Sequence, residues 1–308
     1  MSATKEILRE ATHAGSWYTD SKPQLSSQLD GWLDAVQPPI QCIGPESEGE
    51  TVGELPVPGA RVIIAPKRIF LLGPSHHYYL TKAALSRCAA YETPLGNLPI
   101  DRETTAELHA TGQFEWMSQS VDEDEHSLEM HLPYIYKILS KTFGPDPSSF
   151  PPLTPIMIGN TSASTETALG ALLAPYLQDP TTAFVISSDF AHWGLRFRYT
   201  YYRPTPSTSL NLTQSSKAPS DPPIHESIKT VDFECMGACE GGKHREWLGV
   251  LERTGNTVCG RHPIGVVMAA LEEGGGEARF RFVRYERSSE VKRVGESSVS
   301  YASAFAVL

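Results

Sequence analysis

The spacing of apolar and polar positions divides the chain into helices and strands that largely alternate. Ser21-Lys-Pro offers a cap residue and an early proline, after which Leu25, Leu29, Trp32, Leu33 and Val36 share one face. A helix is therefore expected from about residue 22 until Pro38-Pro39 stops it. Residues 38–60, rich in proline, glycine and glutamate, read as an exposed loop of low order. Arg61-Val-Ile-Ile-Ala and Arg68-Ile-Phe-Leu-Leu carry no alternation and read as strands buried on both faces. A short helix is expected over 100–109 and another from His126 to about Lys141, with Pro133 in its first turns or dividing it. Strand 153–158, helix 164–178 and strand 183–188 follow. Residues 203–223, rich in serine, threonine and proline, read as loop of low order. Helices at 224–238, 243–254 and 262–273 lead to closing strands near 279–286 and 298–307. This order predicts one α/β domain over 1–308, a three-layer α/β/α architecture with a mostly parallel central sheet.

One junction breaks the pattern. Pro66 and Lys67 join two apparent strands with nothing between them. Parallel neighbours need a crossover of about a dozen residues, and a hairpin needs about two turn residues. Either 61–72 is one strand interrupted by Pro66, which a central strand disfavours, or a crossover is missing. A missing crossover would leave one sheet face uncovered and the sheet damaged next to Pro66.

Composition narrows the function classes. The net charge of −10 argues against a nucleic-acid or anionic-membrane partner, since either needs a basic face. The N-terminal residues lack a signal-peptide pattern, and no apolar run reaches membrane-spanning length. Five irregularly spaced cysteines do not suggest a disulfide framework, so a reducing cytoplasmic compartment is expected, with the nucleus also open.

Three segments deliver metal-avid side chains from the ends of regular elements. The strand at 68–72 is closed by Gly73-Pro74 and leads to His76 and His77; the strand at 184–188 leads to Asp189 and His192. Cys259 and His262 stand at the mouth of an apolar helix. In α/β folds that edge is where ligands and metals sit. Imidazole, carboxylate and thiolate together suit iron, copper or zinc. The plainer readings are a strand-capping histidine, a helix-capping Asp189, a His262-Pro263 first-turn contact and a buried Cys259 acting as a small hydrophobe. In Glu125-His126-Ser-Leu-Glu129-Met-His131 the histidines are five apart, which does not support zincin chemistry. The segment is either a solvated acidic turn before a helix, or His126 and Glu129 orient ligands from behind. Cys235 and Cys239 lack a second pair at zinc-finger spacing, and no G-x-S-x-G, P-loop or G-x-G-x-x-G occurs.

Thr12-His-Ala-Gly-Ser-Trp-Tyr, Leu72-Gly-Pro-Ser-His-His, Asp122-Glu-Asp-Glu-His-Ser-Leu-Glu-Met-His-Leu-Pro, Ser187-Ser-Asp-Phe-Ala-His-Trp-Gly, Cys259-Gly-Arg-His-Pro-Ile-Gly and Ser298-Val-Ser-Tyr-Ala stand in this order. Together they resemble the MEMO1 family, the mediators of ErbB2-driven cell motility, nearly end to end. The resemblance implies a fold like the class III (LigB-type) extradiol dioxygenases. It also implies a copper or iron pocket with His76 and Cys259 as ligands and Asp189 and His192 beside them in catalytic positions. His77, His126, Glu129 and His262 would lie behind the ligands, and Trp17 would line the pocket. Family members are linked to metal redox chemistry and to binding a receptor's phosphotyrosine peptide. Two function classes follow: a metal-dependent oxidoreductase acting on a small-molecule substrate, or a non-catalytic signalling adaptor that binds phosphotyrosine peptides in cell motility. The chain departs from the family at Ala65-Pro66, which is followed by Lys67-Arg68 where the family has His-Ala-Gly-Tyr and roughly two dozen residues including a helix. That segment holds the family's first metal ligand, so weakened metal binding is expected.

Overall fold

The computed structural model describes residues 6–58, 60, 66–275 and 278–308; the strand expected over 61–65 lies outside the described residues. In chain order the first elements are β1 (Leu8–Arg9), α1 (Lys22–Asp34), β2 (Ile40–Gln41), β3 (Thr51–Val52), β4 (Arg68–Pro74) and β5 (Ala83–Leu85). Next come β6 (Ala90–Thr93), β7 (Gly96–Pro99), α2 (Arg102–Ala110), β8 (Phe114–Trp116), α3 (Gln119–Asp124), α4 (His126–Glu129) and α5 (Leu132–Phe143). Then follow β9 (Leu153–Ile158), α6 (Ala163–Gln178), β10 (Thr182–Ile186), β11 (His192–Trp193), β12 (Tyr201–Thr205) and β13 (Thr208–Asn211). The chain closes with α7 (Ile224–Gly241), α8 (His244–Thr254), α9 (Arg261–Glu273), β14 (Arg279–Arg287) and β15 (Ser298–Val307).

The central sheet has the order β10-β4-β9-β5-β8, parallel throughout except where β5 meets β9. β4 explains the layering. Ile69 and Leu71 point to a core shared with Leu25 and Leu29 of α1 and with Leu132, Ile135 and Leu139 of α5. Phe70 and Leu72 point the other way, to Leu169 and Leu173 of α6 and Val266 and Ala270 of α9. A strand buried on both faces needs no polar alternation, and its two faces carry one helical layer each. The mostly parallel three-layer α/β/α fold is therefore present. A second, antiparallel sheet, β11-β15-β14, packs with α7 and α8 around Cys235, Met236, Trp247 and Phe282.

Three expectations change. The helix over 126–141 is split: α4 ends at Glu129, and α5 restarts with Pro133 in its first turn, where proline's missing N–H is harmless. The span 203–223 opens within a β12–β13 hairpin, with Tyr202 paired to Leu210, buried, and donating its hydroxyl to the Pro222 carbonyl. Residues 38–60 hold the β2–β3 pair and are tied down from afar. The Ile43 N–H donates to the Phe282 carbonyl, and Glu240 accepts from the Glu46 N–H and the Ser47 hydroxyl. Loop-like composition hides these anchors because their partners are supplied by distant parts of the chain.

β4 is regular from Arg68 and pairs with β9 from Ile69 to Pro74, so the sheet is regular directly after the junction. Open space lies along β10 instead. Among the described residues β10 pairs only with β4. A cavity of about 240 Å³ borders Phe184, Ile186, Phe280, Ala302 and Ala304 on one face. Another of about 170 Å³ borders Ile69, His131, Ile135, Ala183 and Val185 on the other. No helix among the described residues is long and apolar enough to cross a membrane.

Candidate functional site

Gly73 sets up the first half of the site. A Cβ there would come within 2.6 Å of the Ser127 hydroxyl and 2.9 Å of the Leu128 side chain, so glycine lets α4 close onto the end of β4. The Ser127 hydroxyl donates to the Pro74 carbonyl at 2.9 Å and locks that approach. Glu125, the residue capping α4, is thereby brought to His76. Its carboxylate accepts the His76 backbone N–H at 2.7 Å, the Nδ1–H at 2.8 Å and the Ser127 N–H at 2.9 Å. The His76 ring is fixed by one carboxylate, which leaves its other nitrogen for the pocket.

The second half comes from the end of β10. The Cys259 N–H donates to the Asp189 carbonyl at 3.2 Å, and the Asp189 N–H is directed at the Cys259 sulfur at 3.0 Å. Gly260 makes this possible: a Cβ would stand 2.4 Å from that of Ser188. The Cys259 side chain lies close enough to His76 to influence its charge, so residues 183 positions apart in sequence are brought together at the sheet edge. His192 holds its Nδ1 against the Phe190 carbonyl at 3.0 Å, and its Nε2 lies 3.9 Å from the Asp189 carboxylate.

The charges are coupled. Burial opposes a charge on His76, but its hydrogen bonds to Cys259 and Glu125 outweigh burial and push it up to about 10. Burial also opposes ionisation of Glu125, yet the His76 ring and the N–H groups of His76 and Ser127 bring it down to about 2. Burial raises the Asp189 carboxyl, with His192 and His76 pulling the other way. The stability contribution of His76, raised above its ordinary 6.5, is full below 6.5 and lost as pH climbs through about 10. That of Glu125, lowered from 4.5, is full above 4.5 and lost as pH falls towards about 2. The pair therefore contributes fully only between roughly pH 4.5 and 6.5. Glu125→Gln is expected to flatten the acid limb of a melting-temperature profile; an acid limb as steep as the parent's would show that the pair contributes nothing.

The other expected site residues scatter around this centre. His126 stacks on His76 at 4.4 Å between ring centres and on Trp17 at 4.5 Å, forming a row of rings whose outer member, Trp17, is 57% exposed. Burial and the neighbouring His76 push the His126 imidazole down to about 4. His77 meets His126 edge-on and is exposed. The aromatic partner of His192 is Phe197, and Trp17 is linked to the pocket through His126. Glu129 does not orient His76. It pairs with Arg9 and with His13 Nδ1, each at 2.8 Å, and accepts from the Tyr18 hydroxyl. His262 turns to Glu166 at 2.6 Å, a buried carboxylate that also takes His244 Nε2 at 2.6 Å. The side chains missed from sequence are Glu125 and His13. A capping acid just before a helix was the available signal for Glu125; no local signal marked His13.

The Memo family, described as Memo-like protein, matches residues 9–305. The chain belongs to this family. Protein MEMO1 of Xenopus tropicalis is 41% identical over 309 aligned residues, covering 97% of each chain. Protein MEMO1 of Homo sapiens is 40% identical with the same coverage. Among solved structures, the uncharacterized protein JW3007 from Escherichia coli K12 is 16% identical, with a TM-score of 0.42 over 78% of this chain and 87% of that one. This Memo-family chain brings His76 and Cys259 to one sheet edge, with Asp189 and His192 alongside.

Proposed function

We propose that this Memo-family chain binds copper or iron through His76 and Cys259 and works as a redox-active, dioxygenase-like protein. The observation that supports it is the placement of the Cys259 side chain beside the His76 imidazole, whose Nδ1 is held by Glu125 at 2.8 Å. Imidazole and thiolate are donors that iron and copper accept, and a carboxylate behind the histidine is the usual support for such a ligand. The donor set fits in part: Asp189 supplies an oxygen at the same edge, while the family's first histidine has no counterpart here. When bound, the metal would supply one-electron redox chemistry. Glu125 keeps the His76 ring from turning, the Asp189 N–H orients the sulfur, and His192, fixed by the Phe190 carbonyl, offers Nε2 beside Asp189. Imidazole and thiol must give up protons to ligate a metal, so uptake releases protons and strengthens as pH rises. Chelator competition with Cu(I) and with Fe(II) tests the reading. His76→Gln and Cys259→Ser are each expected to weaken binding by about 100-fold. Equal affinity in both variants and the parent would overturn it.

A second reading, an adaptor for phosphotyrosine peptides in cell motility, is favoured by the exposed Trp17–His126–His76 row. An aromatic side chain can stack on Trp17 while its phosphate meets the imidazoles. Fluorescence polarisation with a phosphotyrosine peptide should then show binding that Trp17→Ala and dephosphorylation both abolish; indifference to either sinks the reading.

A further inference from the structure

The edge of His76 turned away from Cys259 faces a second set of donors. His76 Nδ1 lies 2.8 Å and His126 Nδ1 3.7 Å from the same oxygen, Glu125 Oε1. One ligand atom from each of His76, Glu125 and His126 falls within 4.8 Å of the other two. Donors around a tetrahedral ion at about 2.0–2.1 Å stand roughly 3.3 Å apart, and these two separations bracket that value. The second, independent observation is His126 Nδ1 itself. It is buried and has no hydrogen-bond partner, although the carboxylate is close. A buried ring nitrogen left without a partner is costly, and a cation beside Glu125 would satisfy it.

We propose that His76, Glu125 and His126 form a divalent-cation site that uses the edge of His76 turned away from Cys259. Two imidazoles and one carboxylate suit Zn²⁺ or Fe²⁺. Glu125 also accepts the N–H groups of His76 and Ser127, but its two oxygens have about four lone-pair positions, so a cation adds to these bonds. On entry the cation replaces the proton between His76 Nδ1 and Glu125, and that proton goes to solvent. An ion must also lie near the plane of each ligating ring. The His76 and His126 rings are stacked only 20° from parallel, so His126 must turn off His76 as the ion enters. Trp17, stacked on the other face of His126, reports that turn.

Co²⁺ added to the full-length chain tests the site, because thiolate ligation gives a near-ultraviolet charge-transfer band that nitrogen and oxygen donors do not. The expected result is one equivalent of Co²⁺ with a visible d–d band, no thiolate band, and a change in Trp17 fluorescence. His126→Phe, which keeps the ring stack, and Glu125→Gln, which keeps an acceptor for Ser127, should each weaken binding by about 10-fold or more. A thiolate band that disappears in Cys259→Ser overturns the site while supporting the His76–Cys259 reading. Co²⁺ affinity unchanged in His126→Phe, or no binding to the folded parent chain, overturns it as well.

Discussion

Arg9→Met is expected to lower the unfolding free energy by about 3–5 kcal/mol. The guanidinium is fully buried between Asp122 at 3.3 Å and Glu129 at 2.8 Å, and it also donates to the carbonyls of Asp122 and Glu125. Methionine fills similar space but leaves two buried carboxylates without their cation. Burial already pushes Asp122 up, whereas Arg9, then His13, hold Glu129 below the usual carboxylate range against its own burial. Both carboxyls would have to take up protons on folding. The loss should therefore be larger at pH 8 than at pH 5, and urea unfolding at the two values reads it. The consequence reaches the site, because Glu129 holds His13 and Tyr18 and so the segment that carries Trp17. A loss below about 1 kcal/mol at both pH values would mean that the ion cluster is not what holds the N-terminal segment.

The second large effect is a gain. A family-like His-Ala-Gly-Tyr crossover inserted between Pro66 and Lys67 is expected to raise the melting temperature by about 10 °C and to strengthen metal uptake. The motive is the open space on both faces of β10, about 240 Å³ and 170 Å³. Covering the apolar lining of these spaces would add burial at about 25 cal/mol per Å² of apolar surface. The Lys67 N–H donates to the Thr181 carbonyl, and β4 begins at Arg68 beside the start of β10. A parallel connection ahead of β4 takes a crossover of about a dozen residues or more. An inserted chain that melts with the parent would show that the cavities are not filled by a crossover, and unchanged metal affinity would remove the case for a missing ligand.

The same contrast between local and distant causes separates what could be read directly from what could not. Non-alternating apolar runs placed β4, β9 and β10 to within two residues, and helical spacing placed α1, α6, α7, α8 and α9, because burial periodicity is written locally. Placing His76, Asp189 and Cys259 at the ends of apolar elements followed from that same pattern. The three-residue strands β5 and β8 were not legible, being too short for any period to show.

What only the tertiary structure decided is which acid serves which histidine. Glu125 and Glu129 are four apart and would share one face of a continuous helix. Glu125 instead caps α4 with extended backbone angles, φ −87° and ψ 115°. Its carboxylate therefore turns back to His76, while Glu129, a turn later, meets Arg9 and His13 from the chain's first residues. The carboxylate partners of Arg9, Asp122 and Glu129, lie 113 and 120 positions away, and nothing around Arg9 in sequence announces them. Hydrophobic burial is a property of each segment, so it can be read along the chain. Ion pairing and hydrogen bonding at this site belong to pairs of segments, and they exist only once the sheet and Gly73 have brought those segments together.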